Sequence, residues 1–252
     1  MRVTSHGRTD VGRRRKNNQD AFLKDDLLGF YLVADGMGGH AAGEIAAREA
    51  AEAIHDMVIR GRDVIEDFRS QPICRESSRS IGRLLESAIQ SATYIVYGMA
   101  EQQPTNRGMG TTISALLLAG AYGVTAQVGD TRIYCVRDGE AVQLTEDHTL
   151  VNWQIREGVL SPEEAARSPQ RNVITRAVGN KDYVQVDTQL ISIRPGDRFL
   201  LCSDGLHGYV KRQEIASIMR QDLPAACEEF IRLANERGGK DNITALTVEI
   251  HG

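Results

Sequence analysis

Apolar positions along this chain recur with two different periods. Short runs with strand character occupy 30–34, 111–119, 122–128, 132–136, 141–144, 184–190, 199–202 and 243–250. In the last run Thr244, Leu246, Val248 and Ile250 fall on one face of a two-residue repeat. Arg137-Asp138-Gly139-Glu140 reads as a hairpin turn and Arg194-Pro195-Gly196-Asp197 as a second turn. The close spacing of runs in the middle third predicts antiparallel pairing, because parallel neighbours need long crossovers. Helical spacing appears over 41–60, where Ile45, Ala46, Ala50, Ala53, Ile54, Met57 and Val58 form one stripe. It returns over 78–101 through Ile81, Leu84, Leu85, Ala88, Ile89, Ala92, Ile95, Val96 and Met99, and a third helix is expected after Pro224. Groups of strands alternating with long amphipathic helices predict an α+β sandwich, sheets inside and helices outside.

The polar stretch from Glu146 to Asn180 has few strand-forming runs and reads as an excursion from the sheets. Ser161-Pro162-Glu163-Glu164 starts a short helix within it, with a capping box and Pro at the first helical position. There is no repeat, low-complexity segment or Pro/Gly/Ser linker, so residues 1–252 are expected to form a single domain.

Composition narrows the function classes. The charged fraction of 25% and apolar fraction of 41% are those of an ordinary globular chain. A net charge of −4 gives no reason to expect a nucleic-acid partner. The N-terminus lacks the apolar core of a signal peptide, and the longest apolar stretch, about 113–126, is too short and too polar to span a bilayer. Cys74, Cys135, Cys202 and Cys227 are widely scattered, without the paired spacing of zinc or redox sites. The expectation is a cytoplasmic monomer that engages neither membrane nor nucleic acid.

Candidate chemistry lies where the strand runs end. Asp35, Asp130, Asp204 and Asp241 all sit at the ends of short apolar runs, and three of them precede Gly or Asn. Asp-Gly is also an ordinary turn sequence. A buried strand ending in Asp, however, delivers a carboxylate to the rim of a sheet, and several such rims make an oxygen cage for a hard divalent cation. The glycines of Gly36-Met37-Gly38-Gly39 lack the following Lys-Ser/Thr of a phosphate-binding P-loop. They suit a tight turn that lets a backbone carbonyl approach a metal.

Six ordered motifs carry a resemblance. Thr9-Asp10-Val11-Gly12-Arg13-Arg14-Arg15-Lys16-Asn17-Asn18-Gln19-Asp20, Ala34-Asp35-Gly36-Met37-Gly38-Gly39-His40, Gly110-Thr111-Thr112, Val128-Gly129-Asp130-Thr131-Arg132, Ser203-Asp204-Gly205 and Lys240-Asp241-Asn242 follow one another along the chain. Together they resemble the metal-dependent Ser/Thr phosphatases of the protein phosphatase 2C family, in its short bacterial form, from about Thr4 to Glu249. The resemblance implies two antiparallel sheets packed face to face with helices on both outer faces, in four layers.

It also implies residue roles. Asp35 would bridge two Mg²⁺ or Mn²⁺ ions, with the Gly36 carbonyl binding one of them. Asp204 and Asp241 would complete the first ion's shell, and Asp20 would join the cluster directly or through water. Asp130, with Asp204, would hold a third, weaker ion. A hydroxide bridging two cations is a nucleophile available near neutral pH for in-line attack on phosphorus. Arg15 matches the phosphate-binding arginine, selected over Arg13 by its position relative to Asn18-Gln19-Asp20. The segment from His148 to Asn180 matches a flap beside the cleft, with 171–176 rejoining it to the sheet.

Two positions depart from the family pattern. Gln19 stands where Glu is common, which removes a charge from the outer metal shell. Met37 stands where eukaryotic members carry a His proposed as general acid; His40, three residues on, is the replacement candidate. The implied activity is hydrolysis of phosphoserine and phosphothreonine in proteins phosphorylated by a Ser/Thr kinase. The competing readings are a non-catalytic pseudophosphatase module and a two-metal phosphodiesterase or nuclease.

Overall fold

The computed structural model describes residues 2–38, 42–70 and 73–252. Eleven strands among them build two antiparallel sheets. The first contains β1 (Arg2–Asp10), β7 (Arg132–Arg137), β8 (Glu140–Gln143), β10 (Arg198–Cys202) and β11 (Ile243–His251), in the order β1-β11-β10-β7-β8. The second contains β2 (Asp20–Asp25), β3 (Phe30–Met37), β5 (Ile113–Ala119), β6 (Tyr122–Val128) and β9 (Asp187–Ser192), in the order β2-β3-β5-β6-β9. The short β4 (Gly110–Thr111) pairs with the far end of β3.

Side-chain alternation decides which face meets which layer. Tyr31 and Val33 of β3 and Leu116 and Leu118 of β5 pack against Ile133, Phe199, Leu201, Leu246 and Val248 of the other sheet. The opposite face of β3, through Phe30, Leu32 and Ala34, packs on α1 (Ala42–Arg60), α2 (Arg62–Ser70) and α3 (Arg75–Gln102). Across the molecule Leu200, Cys202, Ile243 and Ala245 pack on α6 (Asp204–His207), α7 (Arg212–Ile218) and α8 (Leu223–Glu236). Four layers result, and strands covered on both faces read as continuous apolar runs. Each large side chain so buried contributes about 1.5–3 kcal/mol.

Several boundaries differ from the sequence expectation, each for a local reason. Strands β1 and β2 had no apolar signature; both are sheet edges, and most of their residues are only half-buried. Helix α3 starts at Arg75 rather than 78, because the Cys74 sulfur accepts from the Ser77 amide while Ser77 caps back. Strand β9 starts at Asp187 rather than 184, since the Val184 amide is turned to Gln90 of α3 at 3.3 Å. The run 111–119 is interrupted at Thr112, whose amide and hydroxyl both serve Asp35.

The excursion holds α4 (Leu150–Arg156) and α5 (Pro162–Arg167), the latter capped by Ser161 and Glu164 as its sequence predicts. The segment 171–176 does not rejoin the sheet, contrary to expectation. It closes on the excursion's own first residues, with Ile174 bridging Thr149 and the Thr175 amide donating to the His148 carbonyl at 2.7 Å. The sheet is regained at Val178, which pairs with Thr111 of β4.

Candidate active site

The β2–β3 ladder places Asp20 directly opposite Asp35. Opposed residues of an antiparallel pair share a face, and like charges there are destabilising. Backbone contacts fix Asp35 firmly: its amide donates to Thr112 Oγ1 at 3.0 Å, and its carbonyl accepts from Thr111 Oγ1 at 3.0 Å and from the Thr112 amide at 2.9 Å. That is the use of the Gly110-Thr111-Thr112 motif. Gly36 follows under tight constraint, since a methyl group there would lie 2.0 Å from the Gly43 carbonyl oxygen.

The other sheet supplies the remaining carboxylates. Asp204 follows β10 and Asp241 precedes β11, neighbouring strands in that sheet. Their loops touch because residue 205 is glycine; a Cβ there would lie 1.9 Å from the Asn242 carbonyl oxygen. The Asp35 carboxyl lies close enough to Asp204 to hydrogen-bond it. Asp20 Oδ2 accepts from Ser203 Oγ at 2.6 Å and Thr244 Oγ1 at 2.7 Å, so hydroxyls of one sheet hold a carboxylate of the other.

Asn242 and those two hydroxyls had no assigned role in the sequence, although Ser203 and Asn242 lie inside the quoted motifs. Asn242 Nδ2 donates to the carbonyls of Val11 and Asn17, at 3.0 and 2.9 Å, and its Oδ1 accepts from the Gln19 amide at 2.8 Å. It thereby clasps the loop that carries Arg15. The signal was adjacency to Asp241.

Asp130 occupies the buried turn between β6 and β7. His148 grips this turn from both sides of Gly129: its Nδ1 accepts from the Gly129 amide at 3.1 Å, and its amide donates to the Gly129 carbonyl at 2.8 Å. The Asp130 carbonyl meets Nε2 of His207 at 2.9 Å. Burial pushes the His207 imidazole pKa down to about 4.

The carboxylates raise one another's pKa values. Burial first, and neighbouring carboxylates second, push Asp20 up to about 7, against hydrogen bonds that favour its charge. Asp130 is raised to about 7 by burial and then by Asp204. Asp204 rises to about 6 through burial and Asp241, and Asp35 lies well above the usual range through burial and then Asp20. Asp20 Oδ1 and Asp204 Oδ1 are buried without a hydrogen-bond partner. Buried charge of one sign with orphaned oxygens calls for a cation. Among the described residues no three His, Cys, Asp or Glu side chains converge as a ready-made cage.

Arg15 is the positive group at this rim. Its Nη2 donates to Asp241 Oδ2 at 2.7 Å, and Asp241, Asp35 and Asp204 all hold its pKa up. Arg13 goes elsewhere, beside Arg232, Asn235 and Glu236 in a separate hollow.

The model for "Protein phosphatase 2C" matches residues 9–246 of the chain. The chain belongs to the protein phosphatase 2C family. It is 37% identical over 247 residues to the serine/threonine phosphatase Stp of Listeria innocua, covering 96% of this chain and 94% of that one. Its fold matches the serine/threonine phosphatase PstP/Ppp of Mycobacterium tuberculosis with a TM-score of 0.88 at 32% identity, over the full length of both chains. The catalytic domain of PstP in complex with two manganese ions matches with a TM-score of 0.84 at 31% identity, covering 100% of this chain and 99% of that one.

In this phosphatase 2C chain a cleft of about 620 Å³ runs from the carboxylates to the excursion. Asp130, Asp204 and Asp241 line one end; Val151, Ile155 and Ala165 of the excursion line the other. Residues of the excursion therefore form a wall of the cleft. The base of the excursion is tied down by Arg132, which binds Asp147 through Nε at 2.9 Å and Nη2 at 2.6 Å. His40 lies outside the described residues. Met37 is half-buried at the end of β3, paired with Gly110.

Proposed function

We infer that the chain is a metal-dependent serine/threonine protein phosphatase, hydrolysing phosphoserine and phosphothreonine to the free hydroxyl and inorganic phosphate. The observation that carries this is the pairing of Asp20 against Asp35, joined by Asp204 and Asp241 from the other sheet, with Arg15 at the rim. Asp35, with the Gly36 carbonyl, Asp204 and Asp241, would hold two divalent ions, with Asp20 in support. Bound there, such ions lower the pKa of water and offset charge on a phosphoryl group.

The protein's own groups account for the rest of the chemistry. Arg15 offers parallel N–H donors to two non-bridging phosphate oxygens and stays charged at any working pH. It forms an ion pair with Asp241. Asp241 would serve both this guanidinium and a bound cation, so Arg15 stands beside the metal position with donors to offer a phosphate. Ser203 and Thr244 keep Asp20 from rotating. Asp130 with Asp204 forms a third, looser cation position, and His40 is the candidate donor to the leaving alkoxide. Mn²⁺ or Mg²⁺ as the resident metal, phosphoproteins made by a Ser/Thr kinase as substrates, and a cytoplasmic monomer complete the reading. No helix among the described residues is long and apolar enough to cross a membrane.

Phosphate release from a phosphothreonine peptide tests it. Turnover with Mn²⁺ that EDTA abolishes and added Mn²⁺ restores is the expected result. Activity indifferent to EDTA would overturn the reading, and Mn²⁺ binding without turnover would favour the pseudophosphatase.

A further inference from the structure

Far from the carboxylates, α3 carries Arg75, Arg79 and Arg83 at four-residue spacing, all three exposed. Four residues of helix advance about 6 Å, so the guanidinium groups form a row about 12 Å long. Among the described residues no carboxylate pairs with any of them. Other arginines, among them Arg132, Arg137, Arg198 and Arg232, are taken up by carboxylates. The row bounds a groove of about 480 Å³ whose opposite wall is Thr188, Gln189 and Leu190 of β9. Gly82 marks the close approach of helix and strand, since a Cβ there would be in ordinary contact with Thr188 Oγ1, at 3.6 Å. A carboxylate of the groove, Glu86, is already taken up by the Thr188 hydroxyl at 3.0 Å.

The β9 wall has a second property. Among the described residues it ends its sheet and pairs only with β6. The Ile193 amide donates to the Ala121 carbonyl, which continues that register and directs the odd-numbered residues of β9 toward β6. Thr188, Leu190 and Ser192 therefore turn their backbone groups to the free edge. Arg137 Nη2 takes the Ser192 carbonyl at 2.8 Å, which agrees with that direction and closes the edge at one end. Thr188 and Leu190 keep an open edge with neither Lys nor Pro to block it.

We propose that the groove between α3 and β9 docks an extended acidic segment of a partner protein, added as a strand to β9 with its carboxylates on the arginine row. Alternate residues of a strand lie about 6.7 Å apart on one face, and successive arginines of the row are separated by about 6 Å of helix rise. Backbone pairing supplies affinity, and the guanidinium forks supply selection for carboxylates at every second position. The proposal is independent of the phosphatase reading, since none of these residues belongs to the aspartate cluster.

Fluorescence anisotropy with a labelled ten-residue peptide carrying Glu at alternate positions tests it, against the same peptide N-methylated on its pairing edge and against a single-stranded oligonucleotide. The R75A/R79A/R83A variant should bind the Glu peptide about tenfold or more weakly than wild type, with hydrolysis of p-nitrophenyl phosphate unchanged as the check on folding. N-methylation should weaken binding to wild type as well. Equal affinity of wild type and variant, indifference to N-methylation, no binding to wild type, or tighter binding of the oligonucleotide would each overturn the proposal.

Discussion

Arg15 and Asp241 form an exposed ion pair, and the proposed function gives its guanidinium a second use in binding phosphate. Arg15→Ala should raise KM for a phosphopeptide and the Ki of inorganic phosphate about ten- to a hundredfold, the worth of a charged hydrogen bond or two. Arg13→Ala should change either by no more than about twofold, since Arg13 faces another hollow. Steady-state kinetics decide between them, and a costlier Arg13 substitution would show that the phosphate site is built from the wrong arginine. Thr244→Val probes the support beneath Asp20. It removes one of the two hydroxyls on Oδ2 while keeping the side chain's shape. Loss of roughly 1 kcal/mol is expected, a fall of about 2–4 °C in Tm for a chain of this size. Thermal melts of wild type and variant check it.

At the scale of elements, the β6–β7 turn makes Asp130 a separable part of the site. Asp130→Ala should leave two tighter Mn²⁺ positions intact in a calorimetric titration, remove a weaker one and lower turnover. Identical weak binding in wild type and variant would reduce the turn to an ordinary hairpin. Much of this layer was legible in the sequence, because β3, β5, β7 and β10 are covered on both faces and carry apolar runs, while β11 shows a two-residue alternation. The rim aspartates stood out by position: Asp35, Asp130 and Asp204 stand at or just past the end of a buried strand, and Asp241 just before one. The edge strands left no such trace. With β2 unread, the opposition of Asp20 and Asp35 could not be seen, nor could the hydroxyls of Ser203 and Thr244 reaching across from the other sheet. Helix α2 was equally silent, burying only Ile65 and Phe68 among polar neighbours. The closure of 171–176 onto Thr149 is a contact within the excursion that no periodicity announces.

For the whole molecule, the cluster draws Asp20 and Asp35 from one sheet and Asp204 and Asp241 from the other, so cation binding and sandwich stability are linked. In metal-free protein Asp20 and Asp130 stand at about 7, Asp204 at about 6 and Asp35 well above the usual range. All exceed the unfolded value of about 3.9. The folded chain therefore holds protons that the unfolded chain has lost, and this contribution to stability disappears as pH rises through the folded values. His207, at about 4, and the lowered His148 act with the opposite sign, but their effect is complete above about pH 6.5. Metal-free Tm should thus fall between about pH 6.5 and 8, and saturating Mn²⁺ should cancel or reverse the fall, because the ion replaces the lost protons. Scanning fluorimetry at the two pH values, with Mn²⁺ and with EDTA, reads both effects.

The central claim is that one carboxylate cluster spanning two sheets both binds the cations and drives phosphate hydrolysis. Asp35→Asn tests it most directly, assayed for phosphothreonine-peptide turnover at saturating Mn²⁺ alongside its metal-free Tm. The account predicts that turnover falls by on the order of a thousandfold or more, while the metal-free Tm holds or rises because one member of a like-charged buried group is gone. A folded Asp35→Asn protein that hydrolyses the peptide at the wild-type rate would contradict it.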